Sequence, residues 1–381
     1  MDKHIEELDG IRGIAILLVF AFHAFKRANY FTANPILHFI TKLTSIGWVG
    51  VDIFFVLSGF LITSILMQKK GKKDYFKNFY ARRILRIFPL YYLMLGVIIF
   101  SMSALEPGAQ PHVLERLPFY LLYQQNWPMA AGDLPSTYLL VTWSLAIEEQ
   151  FYLFWPFLIY FLKKRALIMA NFGIILLSML VRIVIALMSH DPAKAQIFTY
   201  YSTITRLDAL ALGALIAIVF KESVLWQERL KRFSLPALLG TVTLVSIVVF
   251  MPNSSELYNN VPIRLAGYSV LAIMGGSSII ISLTHDELSL LRYFFRNKVL
   301  RFFGKYSYAL YLIHPLILQI FLDILWHAKF RGWQAYVSYL FISFSSTILL
   351  SLLSWHLLEK RMLNLKKYFE SPSLASVEQN I

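Results

Sequence analysis

Arg12 and His23 stand eleven residues apart in an otherwise mostly apolar run. That spacing is close to three helical turns, so both side chains share one face, separated by a rise of about 16 Å. A helix entered from its N-terminal end would leave Arg12 at the rim of a hydrocarbon core about 30 Å thick and carry His23 toward its middle. A neutral imidazole there can take a proton from a hydroxyl, because its unperturbed pKa of about 6.5 suits a general base. A buried histidine that only bonds a neighbouring helix would look the same, and spacing leaves both readings open. His314 poses the same choice. It follows Tyr308 and Tyr311 at three-residue steps and precedes Pro315, whose kink is tolerated where backbone lines a cavity.

Other groups sit where apolar solvent should forbid them. Ser144, Glu148 and Tyr152 recur at steps of four and so line one helical face, with Glu149 turned about 100° away. Asp52, Arg206 and Asp208 also fall within long apolar runs. A charge in hydrocarbon costs about 2.5–3.5 kcal/mol even on the lenient insertion scale, so groups of this kind are usually functional. They could contact an acceptor, or Arg206 and Asp208 could neutralise charges on other helices. Arg83 and Arg86 lie one turn apart in Tyr80-Ala81-Arg82-Arg83-Ile84-Leu85-Arg86-Ile87-Phe88-Pro89, an amphipathic approach to an apolar run. Two guanidiniums spaced this way grip phosphate bidentately. Lys69, Lys70, Lys72 and Lys73, just upstream, read as a plain topogenic cluster.

Positioning such groups needs a membrane scaffold. The 381 residues are 57% hydrophobic and only 15% charged, against about a quarter charged in soluble domains, and the mean hydropathy is +0.59. The chain is therefore expected to be an all-α polytopic bundle. Ten spans are expected, near residues 10–28, 47–67, 88–104, 142–162, 167–188, 202–220, 235–251, 262–283, 304–326 and 333–358. The run from His112 to Trp127 is too short and Pro-bounded to cross, and reads as interfacial or re-entrant. Residues 1–358 form one membrane domain and 359–381 a basic, polar cytosolic tail. The first nine residues lack a cleavable signal pattern.

The net charge of +14 does not point to nucleic acid, because the basic residues come in short bursts between apolar runs. With the N-terminus inside, 26 of the 36 Lys and Arg fall on the cytosolic side. Eight fall outside (Lys26, Arg27, Lys42, Arg116, Lys194, Arg264, Lys329 and Arg331) and two, Arg182 and Arg206, within spans. Both termini are thus expected in the cytosol, with the chain in the cytoplasmic membrane. The absence of cysteine excludes disulfides, thiolate metal sites and a cysteine nucleophile, and no metal is expected.

Six blocks together resemble the acyltransferase 3 family of membrane acyltransferases, which includes O-antigen and peptidoglycan O-acetylases. They are Leu8-Asp9-Gly10-Ile11-Arg12-Gly13 leading to His23; the stretch from Gly50 to Phe60 containing Asp52; Arg83-Ile84-Leu85-Arg86-Ile87-Phe88-Pro89; Trp143 to Tyr152 with Glu148; Arg206-Leu207-Asp208 with Leu212-Gly213; and Ser307 to Pro315 with His314. They run in the family's order from Leu8 to Pro315. The resemblance implies transfer of an acyl group, usually acetyl, from cytosolic acyl-CoA to a hydroxyl of an envelope glycan such as an O-antigen or exopolysaccharide. It implies donor binding at Arg12, Arg83 and Arg86, and His23 as general base with Glu148 as a second catalytic group. Asp52, Tyr152, Arg206, Asp208 and His314 would contact substrate. Many relatives carry a C-terminal SGNH hydrolase-like domain; with no Gly-Asp-Ser motif here, the acceptor would be handled by the membrane domain or with a separate periplasmic partner. Direct transfer and an acyl-histidine intermediate both fit.

Two rivals remain at this level. A proton-coupled transporter would also place ionisable groups at mid-membrane, although no repeat relates the two halves. An acyltransferase acting on a small molecule, as macrolide-acylating relatives do, would share every motif. The charge asymmetry itself yields a test. Reporter fusions after Lys73, Ala131, Arg165 and Ile381 should read in, out, in and in, and a C-terminal reporter found outside would refute this topology.

Overall fold

The computed structural model describes residues 5–105, 108, 110–250, 263–284 and 289–369. Lys3 and the stretch 370–381 of the expected tail lie outside the described residues, which hold helices and no strand. The chain opens with α1 (Glu6–Ala28), a 3-10 turn (Asn29–Phe31), α2 (Pro35–Thr44), α3 (Val49–Lys69) and α4 (Tyr75–Leu105). Three short helices follow, α5 (Gln110–Glu115), α6 (Leu117–Leu121) and α7 (Asn126–Ala130), where an interfacial segment was expected. Next come α8 (Thr142–Phe161), α9 (Lys164–Met188), α10 (Pro192–Tyr201), α11 (Thr203–Phe220) and α12 (Val224–Phe250). The described chain ends with a π-helical turn (Ile263–Gly267), α13 (Tyr268–Thr284), α14 (Leu290–Phe295), α15 (Lys298–Lys305), α16 (Ser307–His327), α17 (Gly332–Ser354), a π-helical turn (Trp355–Glu359), α18 (Lys360–Asn364) and a 3-10 turn (Leu365–Phe369).

Among the described residues, nine helical segments are long and apolar enough to cross a membrane unaided. The tenth expected span, α8, is equally long at 20 residues, but Glu148, Glu149 and Gln150 lower its hydropathy. Several helices outrun the apolar stretches that announced them. The Arg83–Arg86 pair belongs to the same helix as the span that follows, because α4 begins at Tyr75. Residues expected as the loop 292–305 instead form α14 and α15, capped by the side chains of Ser289 and Asn297 on backbone N–H groups. The first residues of the expected tail are helical as well, and the buried Glu359 accepts a hydrogen bond from Ser354 at 3.0 Å.

Lipid tails are as apolar as leucine, so helices associate in a membrane through close packing and polar contacts rather than hydrophobic burial. The glycines mark where this chain uses that device. A Cβ on Gly59 of α3 would stand 1.9 Å from the Leu210 carbonyl of α11, and one on Gly213 would stand 2.0 Å from the Val56 carbonyl. At the other end, Gly10 and Gly13 of α1 meet the backbones of Phe295 and Leu300, which lays α14 and α15 along the first turns of α1. Glu7 and Glu6 then bond Arg292 and Arg301, each at 2.7 Å. The helix ends so gathered form a basic face. On the opposite face, His112 and Arg116 both donate to Asp133, at 2.6 and 2.5 Å. Burial pushes the Asp133 carboxyl up, but the two hydrogen bonds outweigh it and hold the group below the usual carboxylate range.

The central helices α3, α11 and α13 are enclosed, while α9 and α12 turn Phe172, Leu176, Leu239 and Ile247 outward. Gly59→Val should therefore destabilise the protein by about 1–3 kcal/mol or more, through overpacking against α11. Gly96→Ala, with nothing within 4 Å of the added methyl, should be neutral or stabilising by up to about 1 kcal/mol. Thermal unfolding of detergent-purified protein followed by tryptophan fluorescence compares the two.

Candidate active site

His23 and His314 meet. Nε2 of His314 lies 3.3 Å from Nδ1 of His23, across 291 residues of sequence. Each ring also places Nδ1 against the backbone carbonyl one turn back, Val19 at 2.9 Å for His23 and Leu310 at 3.0 Å for His314. A carbonyl can only accept, so both Nδ1 atoms carry their protons. Nε2 of His314 is then an acceptor, and the His23 Nδ1–H is shared between it and Val19. That assignment leaves Nε2 of His23 as the nitrogen with a free lone pair. His314 is wholly buried, whereas His23 lines a cavity of about 890 Å³ with Lys26, Arg27, Gln319, Asp323 and Trp326.

A second cavity, of about 190 Å³, lies behind Val51 and Tyr311, which line both. Its walls include Arg12, Arg83, Arg86, Ser58, Ser144, Glu148 and Tyr152. Ser58 donates to Glu148 at 2.6 Å and accepts from Tyr152 at 3.0 Å, so α3 and α8 share one hydroxyl–carboxylate chain. The Arg83 guanidinium lies over the Tyr152 ring at 5.7 Å, and its buried Nε finds no hydrogen-bond partner among the described residues. Arg83 lines this polar cavity, and its guanidinium would favour an anionic ligand there. Arg12, Arg86 and Tyr308 continue into a third cavity of about 650 Å³ at the basic face, where Lys298, Arg301, Lys305 and Trp355 join them.

The structure thus brings Arg12, Arg83, Arg86, Glu148 and Tyr152 into one wall and sets the buried His314 behind His23, which lines another. Glu148 and His23 occupy different cavities. Asp52, Arg206 and Asp208, expected at the acceptor, line none of the three cavities. Arg206 pairs with Asp52 at 2.9 Å, and Arg182 pairs with Asp208 at 2.9 Å. Arg182 also donates to the Thr205 carbonyl at 2.6 Å and to Ser269 at 2.7 Å, and Arg206 stacks on Tyr268 at 3.9 Å. These charges neutralise one another across α3, α9, α11 and α13, although Asp52 Oδ2 and Arg206 Nε and Nη1 have no hydrogen-bond partner among the described residues.

Lys298, Arg301 and Lys305 read in the sequence as part of the topogenic excess of basic residues. Their steps of three and four put them on one face of α15, and that was the available signal. Ser58 had no signal of its own beyond its block. Among the described residues no group of three or more His, Asp or Glu could hold a metal.

Residues 5–356 match the family model described as an acyltransferase domain, of the acyltransferase 3 type. The chain belongs to the acyltransferase 3 family. It is 30% identical to the peptidoglycan O-acetyltransferase OatA of Listeria monocytogenes over 374 residues, covering 94% of this chain and 55% of that protein. A putative peptidoglycan O-acetyltransferase of Bacillus subtilis, YrhL, is 31% identical over 385 residues, with 94% and 55% covered. A putative O-acetyltransferase of Staphylococcus aureus is 29% identical over 378 residues, covering 94% and 57%. The chain spans little more than half the length of these relatives. No solved structure matches it.

The paired charges carry a direct test of their role. Asp52→Asn strands a buried arginine and should cost about 3–5 kcal/mol, read as loss of folded, detergent-stable protein. Normal stability with a defect confined to acceptor use would instead restore Asp52 to the acceptor site.

Proposed function

We propose that this acyltransferase 3 chain moves an acetyl group from acetyl-CoA, bound at its basic face, to a hydroxyl of an envelope glycan at the opposite face. The basic face is taken as cytosolic from the distribution of Lys and Arg, in the cytoplasmic membrane. The observation that carries the reading is the His23–His314 contact. It leaves His23 a free imidazole nitrogen, and His23 lines the larger cavity, beyond a second cavity lined with arginine. The relatives' names, as peptidoglycan O-acetyltransferases, support acetyl transfer to peptidoglycan or a similar glycan.

In this reading the donor's phosphates lie among Arg12, Arg86, Lys298, Arg301 and Lys305, and Arg83 completes the anion site deeper in. The thioester arm extends through the cavity of Ser58, Glu148 and Tyr152, whose hydroxyls and carboxylate position it. The acceptor enters the larger cavity, where aromatic walls such as Trp48, Trp143 and Trp326 suit sugar rings and Asp323 and Gln319 offer partners to hydroxyls. Nε2 of His23 removes the acceptor proton as that oxygen attacks the thioester carbonyl. The C–S bond breaks, and the imidazolium returns the proton to the departing thiolate, leaving an ester and free CoA. His314 holds the His23 tautomer and is a positioning residue.

His23→Ala should lower transfer by about 10²–10⁴-fold while protein level and insertion stay normal; near wild-type turnover would end the general-base assignment. Arg83→Ala and Arg86→Ala should each weaken acetyl-CoA affinity by roughly tenfold to a hundredfold, the value of a lost charge-assisted hydrogen bond. Lysine should rescue only partly, because it keeps the charge and loses the fork. Titration of acetyl-CoA onto purified, correctly inserted variants measures this, and unchanged affinity in both lysine variants would remove the arginines from the donor site.

A further inference from the structure

A path lined by three adjoining cavities runs between the two faces of this protein, and a membrane protein with such a path needs a barrier in it. Tyr311 and Val51 are the residues common to the arginine-lined cavity and the cavity of His23. Tyr311 belongs to α16, yet its hydroxyl is held by the start of α8. It donates to the Val141 carbonyl at 2.9 Å and lies 2.7 Å from Ser144 Oγ. With the phenolic proton committed to a carbonyl, the Ser144 hydroxyl donates to the phenol oxygen. The ring packs edge-on against Phe54 of α3 at 6.3 Å and lies 5.9 Å from the His314 ring. One side chain thus links three helices across the narrow point of the path, one turn from the histidine pair.

We propose that Tyr311 is a seal between the two halves of the path, closed by its hydrogen bonds to Val141 and Ser144. The seal opens when the donor arm displaces the ring. The opening step rests on the reading that donor and acceptor approach from opposite faces; the seal itself does not. Closed, it keeps acceptor-side water from the thioester and prevents a continuous water column beside His23. Its two hydrogen bonds are neutral, of the strength a passing ligand can replace, and its proximity to His314 links opening to the geometry of the base.

The chain has no cysteine, so one introduced thiol can report access with no background. Leu61→Cys places it in the arginine-lined cavity and Thr137→Cys in the cavity of His23. A small, membrane-impermeant cationic methanethiosulfonate is applied to sealed vesicles of either orientation, without donor or acceptor. With Tyr311 intact, Leu61→Cys should react only from the basic face and Thr137→Cys only from the opposite face. Adding Tyr311→Ala should open Leu61→Cys to the opposite face. Tyr311→Phe, which keeps the ring and loses both hydrogen bonds, should give a measurable rate from that face, slower than with Tyr311→Ala. Reaction of Leu61→Cys from the opposite face with Tyr311 present would overturn the proposal. So would an unchanged rate in both Tyr311 variants while Thr137→Cys still reports a normal outer cavity. If Tyr311→Ala does not fold, Tyr311→Phe decides alone. A protein that seals as expected yet transfers nothing from acetyl-CoA would refute the proposed function and leave the seal standing.

Discussion

A charge placed in hydrocarbon must be answered by the protein, and this fold is organised around two such answers. Arg206 and Asp52 join α11 to α3, and Arg182 and Asp208 join α9 to α11, all four groups almost completely buried. Ser269 of α13 accepts from Arg182 and donates to Asp208 at 2.7 Å, tying in a fourth helix. Breaking one partner would leave an uncompensated ion where neither water nor lipid can solvate it. The backbones of α3 and α11 can approach this closely because Gly59 and Gly213 remove side chains from the contact. Helix α3 is therefore held in register, and α3 is the helix that presents Val51, Phe54 and Ser58 to the path.

Polar side chains in the membrane region meet two fates. Those of the ion pairs meet opposite charges on neighbouring helices and so hold the bundle together, even though Asp52 Oδ2 and Arg206 Nε and Nη1 have no hydrogen-bond partner among the described residues. Those along the path line cavities: Arg83, which also has a nitrogen without a partner, and His23, whose Nε2 keeps a free lone pair. Burial exacts a penalty from unsatisfied groups unless a ligand completes them. Placement on a cavity wall, rather than residue type or unsatisfied hydrogen bonding, separates scaffold from site, since arginines and carboxylates occur in both.

The basic face shows how one set of residues can serve two ends. Arg292 and Arg301 pair with Glu7 and Glu6 and so fasten α14 and α15 against α1. Lys298, Arg301 and Lys305 also line the basal cavity with Arg12 and Arg86. Glycines at 10, 13 and 304 bring the backbones of α1 and α15 close enough for both. An excess of positive charge that orients the chain during insertion is thereby concentrated around a cavity where it would attract anions.

Much of this was legible in the sequence, because lipid as solvent leaves a plain mark. Apolar runs near 20 residues located the spans, although helices such as α4 and α12 extend well beyond them, since helical hydrogen bonding does not stop at the edge of the hydrocarbon. Helical period placed Glu148 with Tyr152 and Tyr311 with His314 on common faces. What the sequence could not contain was which face meets which. Asp52 and Arg206 are 154 residues apart, and His23 and His314 are 291 apart. Period defines a direction around one helix axis, whereas partnership depends on the packing of several axes, set here by glycine contacts that no hydrophobic pattern reveals. Only the tertiary structure therefore turned Asp52 toward Arg206 and Asp208 toward Arg182, put Glu148 and His23 in separate cavities, and set Tyr311 between them.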